Sequence, residues 1–131
     1  MSTELVTDGI YKVQFEYVRV YVLEDVPEGK TTLVDTAFEE NGEELVETLK
    51  KEFGTIDRVI ITHGDHGHHG GLSHVMETFE PELIAPDNES KFYEAIDYKP
   101  DVRYKDEDIL EDDICVIQVP GHTEGTSALL L

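Results

Sequence analysis

Four histidines and an aspartate lie within seven consecutive residues of this chain, between His63 and His69. The surrounding segment, Thr62 to Gly71, reads THGDHGHHGG. Imidazole nitrogens and carboxylate oxygens are zinc ligands, and they also suit iron or manganese. Since the whole chain has only 6 histidines, a solvated glycine-rich loop would rarely concentrate them in this way. The cluster therefore predicts a metal site.

The spacing within the cluster suggests how its side chains converge. In an extended segment, residues two apart point to the same side, so His63 and Asp65 can meet at one point. His66 and His68 share the opposite parity, and the interspersed glycines let the backbone bend until both pairs line one pocket. His122 follows a second apolar stretch, and we expect two adjacent strands to bring it beside His63 and Asp65.

The elements on either side place the cluster at the end of a strand. Residues 58–62 form an apolar run that predicts a buried strand, and Leu72, Val75, Met76 and Phe79 recur at helical spacing before Pro81. Ligand sites of open α/β sheets lie at the carboxyl ends of the strands. The pattern therefore puts the histidines where such a fold binds ligands.

The rest of the chain alternates between strand and helix patterns. A parity switch near Tyr17 predicts a turn between two antiparallel strands, and a helix is expected from an Asn41 cap to Gly54, with a single apolar stripe. Further strands are expected at residues 31–35, 83–85, 114–119 and 127–131, with a helix after Asn88 and exposed turns at residues 106–113. This alternation favours an α/β layered fold in one domain.

Charge and cysteine content narrow the function classes. With 30 acidic and 10 basic residues, the net charge of −20 makes nucleic acid and anionic membranes unlikely partners. The acids are spread over the whole chain, so we interpret them as a solvated surface adapted to high salt rather than as a steering field for cations. Cys115 lies in an apolar run and is interpreted as a small buried side chain. With neither a signal-peptide pattern nor a membrane-length apolar run, a cytoplasmic location is expected.

Three segments together resemble the metallo-β-lactamase superfamily of hydrolases, whose members include glyoxalase II and ribonuclease Z. They are Leu33-Val34-Asp35-Thr36, the Thr62 to Gly71 segment, and Pro120-Gly121-His122-Thr123 with its following glycine. The resemblance extends from Gly9 to Leu131. It implies an αββα sandwich, with residues 1–131 as one domain that supplies the first half and the start of the second half. The expected fold is thus incomplete at the C-terminus.

The resemblance also implies a first metal site. His63 and His122 match two histidines that bind the first metal, and Asp65 stands where the family usually has the remaining histidine. Asp35 matches an aspartate near the site, which we interpret as supporting the metal ligands. Three protein ligands and an open position are typical of a catalytic zinc centre.

The second metal site departs from the family pattern T-H-x-H-x-D-H-x-G-G. His68 matches the second-metal histidine, but Gly67 stands where the family has an aspartate that binds the second metal and orients water. His66 and His69 are the local candidates to compensate. The family's bridging aspartate and last histidine would fall after Leu131. We therefore expect one tightly held metal, or two if another polypeptide completes the site.

Three functions remain open from the sequence. The first is a metal-dependent hydrolase that activates water, with Asp65 and His66 as catalytic residues, for cleavage of a small ester, thioester, amide or phosphoester. The second is a non-catalytic metal-binding or interaction module, suggested by Gly67. The third is an iron protein that handles electrons or oxygen. A sheet edge left open predicts a homodimer or a companion chain.

Overall fold

The computed structural model describes residues 2–7, 9–16, 18–25, 29–62, 70–87, 98–106, 108–110, 114–118 and 127–130. The first half of the chain contains strands β1 to β4, a 3-10 turn (Glu39–Asn41) and helix α1. The strands and the helix are β1 (Ser2–Thr7), β2 (Ile10–Gln14), β3 (Arg19–Glu24), β4 (Thr31–Val34) and α1 (Gly42–Phe53). The later elements are β5 (Arg58–Ile60), α2 (Leu72–Phe79), β6 (Glu82–Pro86), β7 (Val102–Tyr104), β8 (Ile109–Leu110), β9 (Ile114–Gln118) and β10 (Ser127–Leu130).

Seven strands of the described chain form one mixed sheet in the order β1-β2-β3-β4-β5-β6-β7. Consecutive strands from β1 to β4 pair antiparallel to one another. From β4 onwards, β4, β5, β6 and β7 pair parallel to one another. Helix α1 lies in the connection from β4 to β5, and α2 lies in the connection from β5 to β6. Because those strands are parallel, the segments that follow β4 and β5 leave the sheet at the same edge.

The two faces of this sheet bury different clusters because side chains alternate along a strand. On one face, Leu33 of β4 and Val59 of β5 pack with Leu45 and Leu49 of α1 and Val75 of α2. On the other face, the next residues along the same strands contribute to a second cluster. Its buried members are Leu23, Val34, Ile60, Ile84, Tyr104 and Leu110.

Leu110 comes from the second sheet, which has the order β10-β9-β8 and antiparallel pairing. Its place in the second cluster shows that this sheet covers the face opposite the helices. The layers are therefore helices, a mixed sheet and a second sheet, in agreement with an incomplete αββα sandwich. Neither helix of the described ranges has the length and apolar character that crossing a bilayer would need.

Most predicted elements are confirmed. Helix α1 ends at Gly54, whose φ of 83° brings its N–H to the carbonyls of Leu49 and Lys50. Helix α2 ends before Pro81, and the expected strands appear as β4, β5, β6, β9 and β10. Strand β6 is one residue longer at each end than expected, and the others are slightly shorter. The helix predicted after Asn88 lies outside the described residues.

Several expectations were wrong. Asn41 precedes α1, but its side chain makes no bond to the first turn of α1; instead, its Oδ1 accepts a 3.3 Å bond from the N–H of Phe38. The acidic stretch predicted as exposed turns contains the short strand β8 with the buried Leu110. The strands before the two histidine segments are not adjacent, because β5 belongs to the first sheet and β9 to the second. His63 and His122 could therefore meet only across the sandwich.

Candidate functional site

The edge of the sheet where β4 and β5 end is held by backbone pairing beyond the strands themselves. The N–H of Asp35 donates to the carbonyl of Ile60 over 2.9 Å, and the N–H of Ile61 donates to the carbonyl of Ile84 over 2.9 Å. These bonds extend the parallel ladder by a residue on each side of β5. Asp35 and Ile61, the residues that directly follow β4 and β5, are therefore hydrogen-bonded into the sheet.

Asp35 fixes the next residue, Thr62, through both of its carboxylate oxygens. The N–H of Thr62 donates to Asp35 Oδ1 and the Thr62 hydroxyl donates to Asp35 Oδ2, each over 2.8 Å. Asp35 is 6% exposed and has a φ of 66°, a left-handed conformation that aspartate tolerates better than most residues. This buried carboxylate therefore acts as an acceptor for the residues that follow β5. Its support of the metal ligands stays a prediction.

Tyr104 contacts the same peptide from β7, which lies on the opposite side of β5 from β4 in the strand order. Its hydroxyl donates to the carbonyl of Ile61 over 2.7 Å and lies 3.5 Å from the carbonyl of Thr62. Tyr104 was not among the residues predicted from the sequence. Tyr104 ends a strand of only three residues among charged neighbours, and only its alternation with the apolar Val102 could have indicated a strand.

The chain that returns from the histidine-rich segment is also fixed to the loop after β4. The N–H of Gly71 donates to the carbonyl of Ala37 over 3.2 Å. A Cβ at position 71 would lie 2.3 Å from the carbonyl oxygen of Thr36, so only glycine fits this approach. Residues 35–37 therefore contact both the start and the end of the segment that carries the predicted ligands.

His74 shows a different use of histidine. It lies on α2, and its imidazole sits so close to Gly42 at the start of α1 that a Cβ there would be 2.2 Å from its Cδ2. This side chain therefore packs the two helices together. It was not among the predicted ligands, and its contact explains why glycine begins α1.

The predicted site residues themselves lie outside the described residues. These are the metal ligands His63, Asp65, His68 and His122, the catalytic candidate His66, and their neighbours Gly67 and His69. Within the described ranges, no three histidine, cysteine, aspartate or glutamate side chains group closely enough to hold a metal ion. What the structure gives is the frame on both sides of the segment.

An open groove of about 460 Å³ lies elsewhere, between β1 and α1. Its lining includes Ser2 and Thr3 of β1 and the acidic side chains Glu44, Glu47 and Glu52 of α1. None of these residues is among residues 35–37 or 61–62, which directly follow β4 and β5. We therefore place the candidate site at the carboxyl edge of the parallel strands.

The comparisons with known proteins agree with this architecture. The sequence matches the family profile described as Metallo-beta-lactamase superfamily over residues 13–130. A hydroxyacylglutathione hydrolase of Chromohalobacter salexigens is 25% identical over 112 residues, which are 79% of this chain and 38% of that protein.

Solved structures match nearly the whole chain. A metallo-β-lactamase of Cronobacter sakazakii with substitutions in its HARLDQ motif has a TM-score of 0.83 at 15% identity, covering 98% of this chain and 58% of that one. A subclass B3 metallo-β-lactamase of Bradyrhizobium japonicum has a TM-score of 0.83 at 21% identity, covering 98% and 56%. The rubredoxin oxygen:oxidoreductase of Desulfovibrio gigas has a TM-score of 0.83 at 20% identity, covering 99% and 38%. The chain spans less than two thirds of each of these proteins, and at these identities the structures show a shared fold alone.

Proposed function

Because the chain belongs to the metallo-β-lactamase superfamily, which includes metal-dependent hydrolases, we propose that it is a metal-dependent hydrolase domain. His63, Asp65 and His122 would hold the first metal ion, and His68 would contribute to a second. The observation that supports this most directly is the paired hydrogen bonding of Thr62 to Asp35. It fixes the backbone one residue before His63, at the sheet edge where the family's metal segment begins.

The donor set fits a divalent transition metal. Imidazoles with one carboxylate suit zinc, and the carboxylate also makes iron or manganese acceptable. A second ion would bind more weakly, since Gly67 offers no side chain where the family has an aspartate. We therefore propose zinc as the resident metal, with one tightly held ion per chain.

When bound, the metal would supply Lewis acidity that activates water and polarises the bond to be cleaved. The chain's own residues would do the rest. As a ligand, Asp65 would help to hold the metal ion and would balance part of its charge. His66 would take up a proton at an imidazole nitrogen, next to Gly67, which has no side chain of its own. Asp35 would hold the start of the segment through Thr62, so that the ligands keep their geometry during turnover.

The substrate class is a small molecule with an ester, thioester, amide or phosphoester bond. The name of the Chromohalobacter relative gives hydroxyacylglutathione as one candidate substrate to test. The −20 charge makes nucleic acid a poor candidate. We also propose that a second polypeptide, either another copy or a companion chain, pairs with this one. The strand β10, which lies at one edge of the second sheet within the described residues, is the position for that pairing.

The test begins with metal content. The protein is loaded with zinc, dialysed and measured by plasma mass spectrometry, alongside His63→Ala, His122→Ala and the control His74→Ala. We expect about one zinc per chain in the unaltered protein and in His74→Ala, because His74 packs against Gly42. Both ligand variants should lose most of it. Equal zinc in all four proteins, or zinc in none, would overturn the proposed site.

Activity is then measured on a panel of three chromogenic or thiol-releasing substrates: an aryl ester, an acylglutathione and a cephalosporin. Turnover that disappears in His63→Ala supports the hydrolase. A protein that binds zinc at His63 and His122 but cleaves none of the three, with or without added iron or manganese, would instead favour the non-catalytic module. An iron-loaded protein with a visible absorption band and redox cycling would favour the iron alternative.

A further inference from the structure

Tyr104 is fully buried at the end of β7, yet it places a hydroxyl where a phenylalanine would fill the same apolar space. A buried hydroxyl destabilises the fold unless it finds a partner. Here the partner is the carbonyl of Ile61, 2.7 Å away. Since β6 lies between β5 and β7, the tyrosine reaches past a whole strand to make this bond. The hydroxyl is thus directed at the end of β5.

The carbonyl of Ile61 and the N–H of Thr62 belong to the same peptide group. Tyr104 holds the carbonyl from β7, and Asp35 holds the N–H from the loop after β4. Two side chains from different elements therefore clamp one peptide plane, which cannot rotate without breaking at least one of the bonds. This plane is the last peptide group before the one that joins Thr62 to His63, so it fixes the starting point of the histidine-rich segment.

We infer that Tyr104 is a positioning residue for the proposed metal centre, acting through the Ile61–Thr62 peptide. The inference rests on the proposed function, since it concerns the geometry of the same ligands. Residues that orient metal ligands by hydrogen bonding typically contribute about 10–100-fold to metal affinity or activity. Tyr104 acts through the backbone before the first ligand. We therefore expect the loss of its hydroxyl to weaken metal binding by roughly 10-fold, near the lower end of that range.

A purely structural tyrosine would behave differently from a positioning one. If the hydroxyl only satisfied the carbonyl of Ile61, its removal would lower the urea midpoint of unfolding and leave the metal geometry unchanged. If it positions the segment, removal also changes metal affinity and the ligand field. Cobalt(II) reports both, because its affinity can be measured by competition with a chelator and its visible absorption band reflects coordination geometry.

The experiment compares Tyr104→Phe with the matched control Tyr21→Phe in the full 131-residue chain. Tyr21 on β3 packs against the same apolar cluster as Tyr104 and lies two strands from β5. We expect Tyr104→Phe to bind cobalt(II) about 10-fold more weakly and with an altered band. Tyr21→Phe should match the unaltered protein in both measurements.

Unchanged affinity and an unchanged band in Tyr104→Phe would overturn the inference while leaving the proposed metal site intact. An unaltered protein that binds no cobalt(II) would overturn the proposed function and this inference with it. If Tyr104→Phe fails to fold, 3-fluorotyrosine introduced at position 104 keeps the ring and makes the hydroxyl a stronger donor. A shifted cobalt band then supports the positioning role, and an identical band contradicts it.

Discussion

Thr62 donates two hydrogen bonds to Asp35, one from its backbone N–H and one from its hydroxyl, and each is 2.8 Å long. The pair joins the residue after β4 to the second residue after β5, across neighbouring parallel strands. Hydrogen bonds to a charged acceptor contribute more than neutral ones, and the low exposure of Asp35 limits their replacement by water. This contact therefore stabilises the fold and the start of the candidate site together.

Removal of the Asp35 carboxylate should destabilise the protein strongly. We expect Asp35→Ala to lower the free energy of unfolding by about 2–4 kcal/mol, because the partly buried N–H and hydroxyl of Thr62 both lose their acceptor. Urea denaturation followed by circular dichroism measures it. The control is Asp57→Ala, which removes an exposed carboxylate that accepts one bond from the N–H of Thr31. A loss as large in the control as in Asp35→Ala would contradict the prediction.

The close approach of Gly71 to the Thr36 carbonyl predicts that no side chain is tolerated there. A methyl group 2.3 Å from a backbone oxygen cannot be accommodated by a rotamer change, so Gly71→Ala should cost at least about 2 kcal/mol in the free energy of unfolding. At Gly42 the neighbour is the His74 side chain, which can be removed. Gly42→Ala should therefore be rescued by His74→Ala, whereas Gly71→Ala should not. Rescue of Gly71→Ala by His74→Ala would show that the contact has been misassigned.

Restoring a carboxylate at position 67 should strengthen the second metal site. Gly67→Asp adds a ligand where the family has one, and a direct ligand should matter at least as much as an indirect one, on the order of 10-fold or more in affinity for the second zinc. Zinc titration monitored by calorimetry measures this, with hydrolysis rates taken in parallel. Gly64→Asp is the matched control, because it adds the same charge at a position to which the family assigns no ligand. Equal gains in both variants would indicate a general charge effect.

The charge of −20 predicts that salt stabilises the fold. Screening of the repulsion among surface carboxylates should raise the free energy of unfolding by about 1–2 kcal/mol, or Tm by roughly 4–8 °C, between about 0.05 M and 1 M NaCl. A thermal melt series checks it. Most of the rise should occur below about 0.5 M, where the screening length changes most. A Tm that rises linearly with salt up to several molar would indicate exclusion of salt from the protein surface. A Tm that does not change with salt would contradict the prediction.

Much of the frame could be predicted from local patterns. The helical spacing of Leu45 and Leu49 and the positive-φ position of Gly54 determine α1, and the apolar runs of β5 and β6 leave little choice for buried parallel strands. The strands β1 and β7 were missed because their residues are largely exposed or charged, so period-two alternation is weak there. Their pairing is set by the neighbouring strands rather than by their own composition.

The candidate site was predicted less completely. The resemblance singled out Asp35, but its contact with Thr62 required coordinates, since the two residues are 27 positions apart. Tyr104 was missed because its role depends on reaching across β6, which no linear pattern encodes. The expectation that β5 and the strand before His122 are adjacent was wrong because spacing alone does not say which sheet a strand joins. The ligands His63, Asp65, His68 and His122 stay a prediction.

Residues 35–37 contact both Thr62 and Gly71, so the eight residues between them start and end at fixed points of a single short stretch. Both contacts belong to the described frame, so a substitution at a position between them removes neither contact. The length of this segment, however, is constrained by the distance between the two fixed points. A chimera that exchanges these eight residues one for one should therefore keep the contacts at both ends.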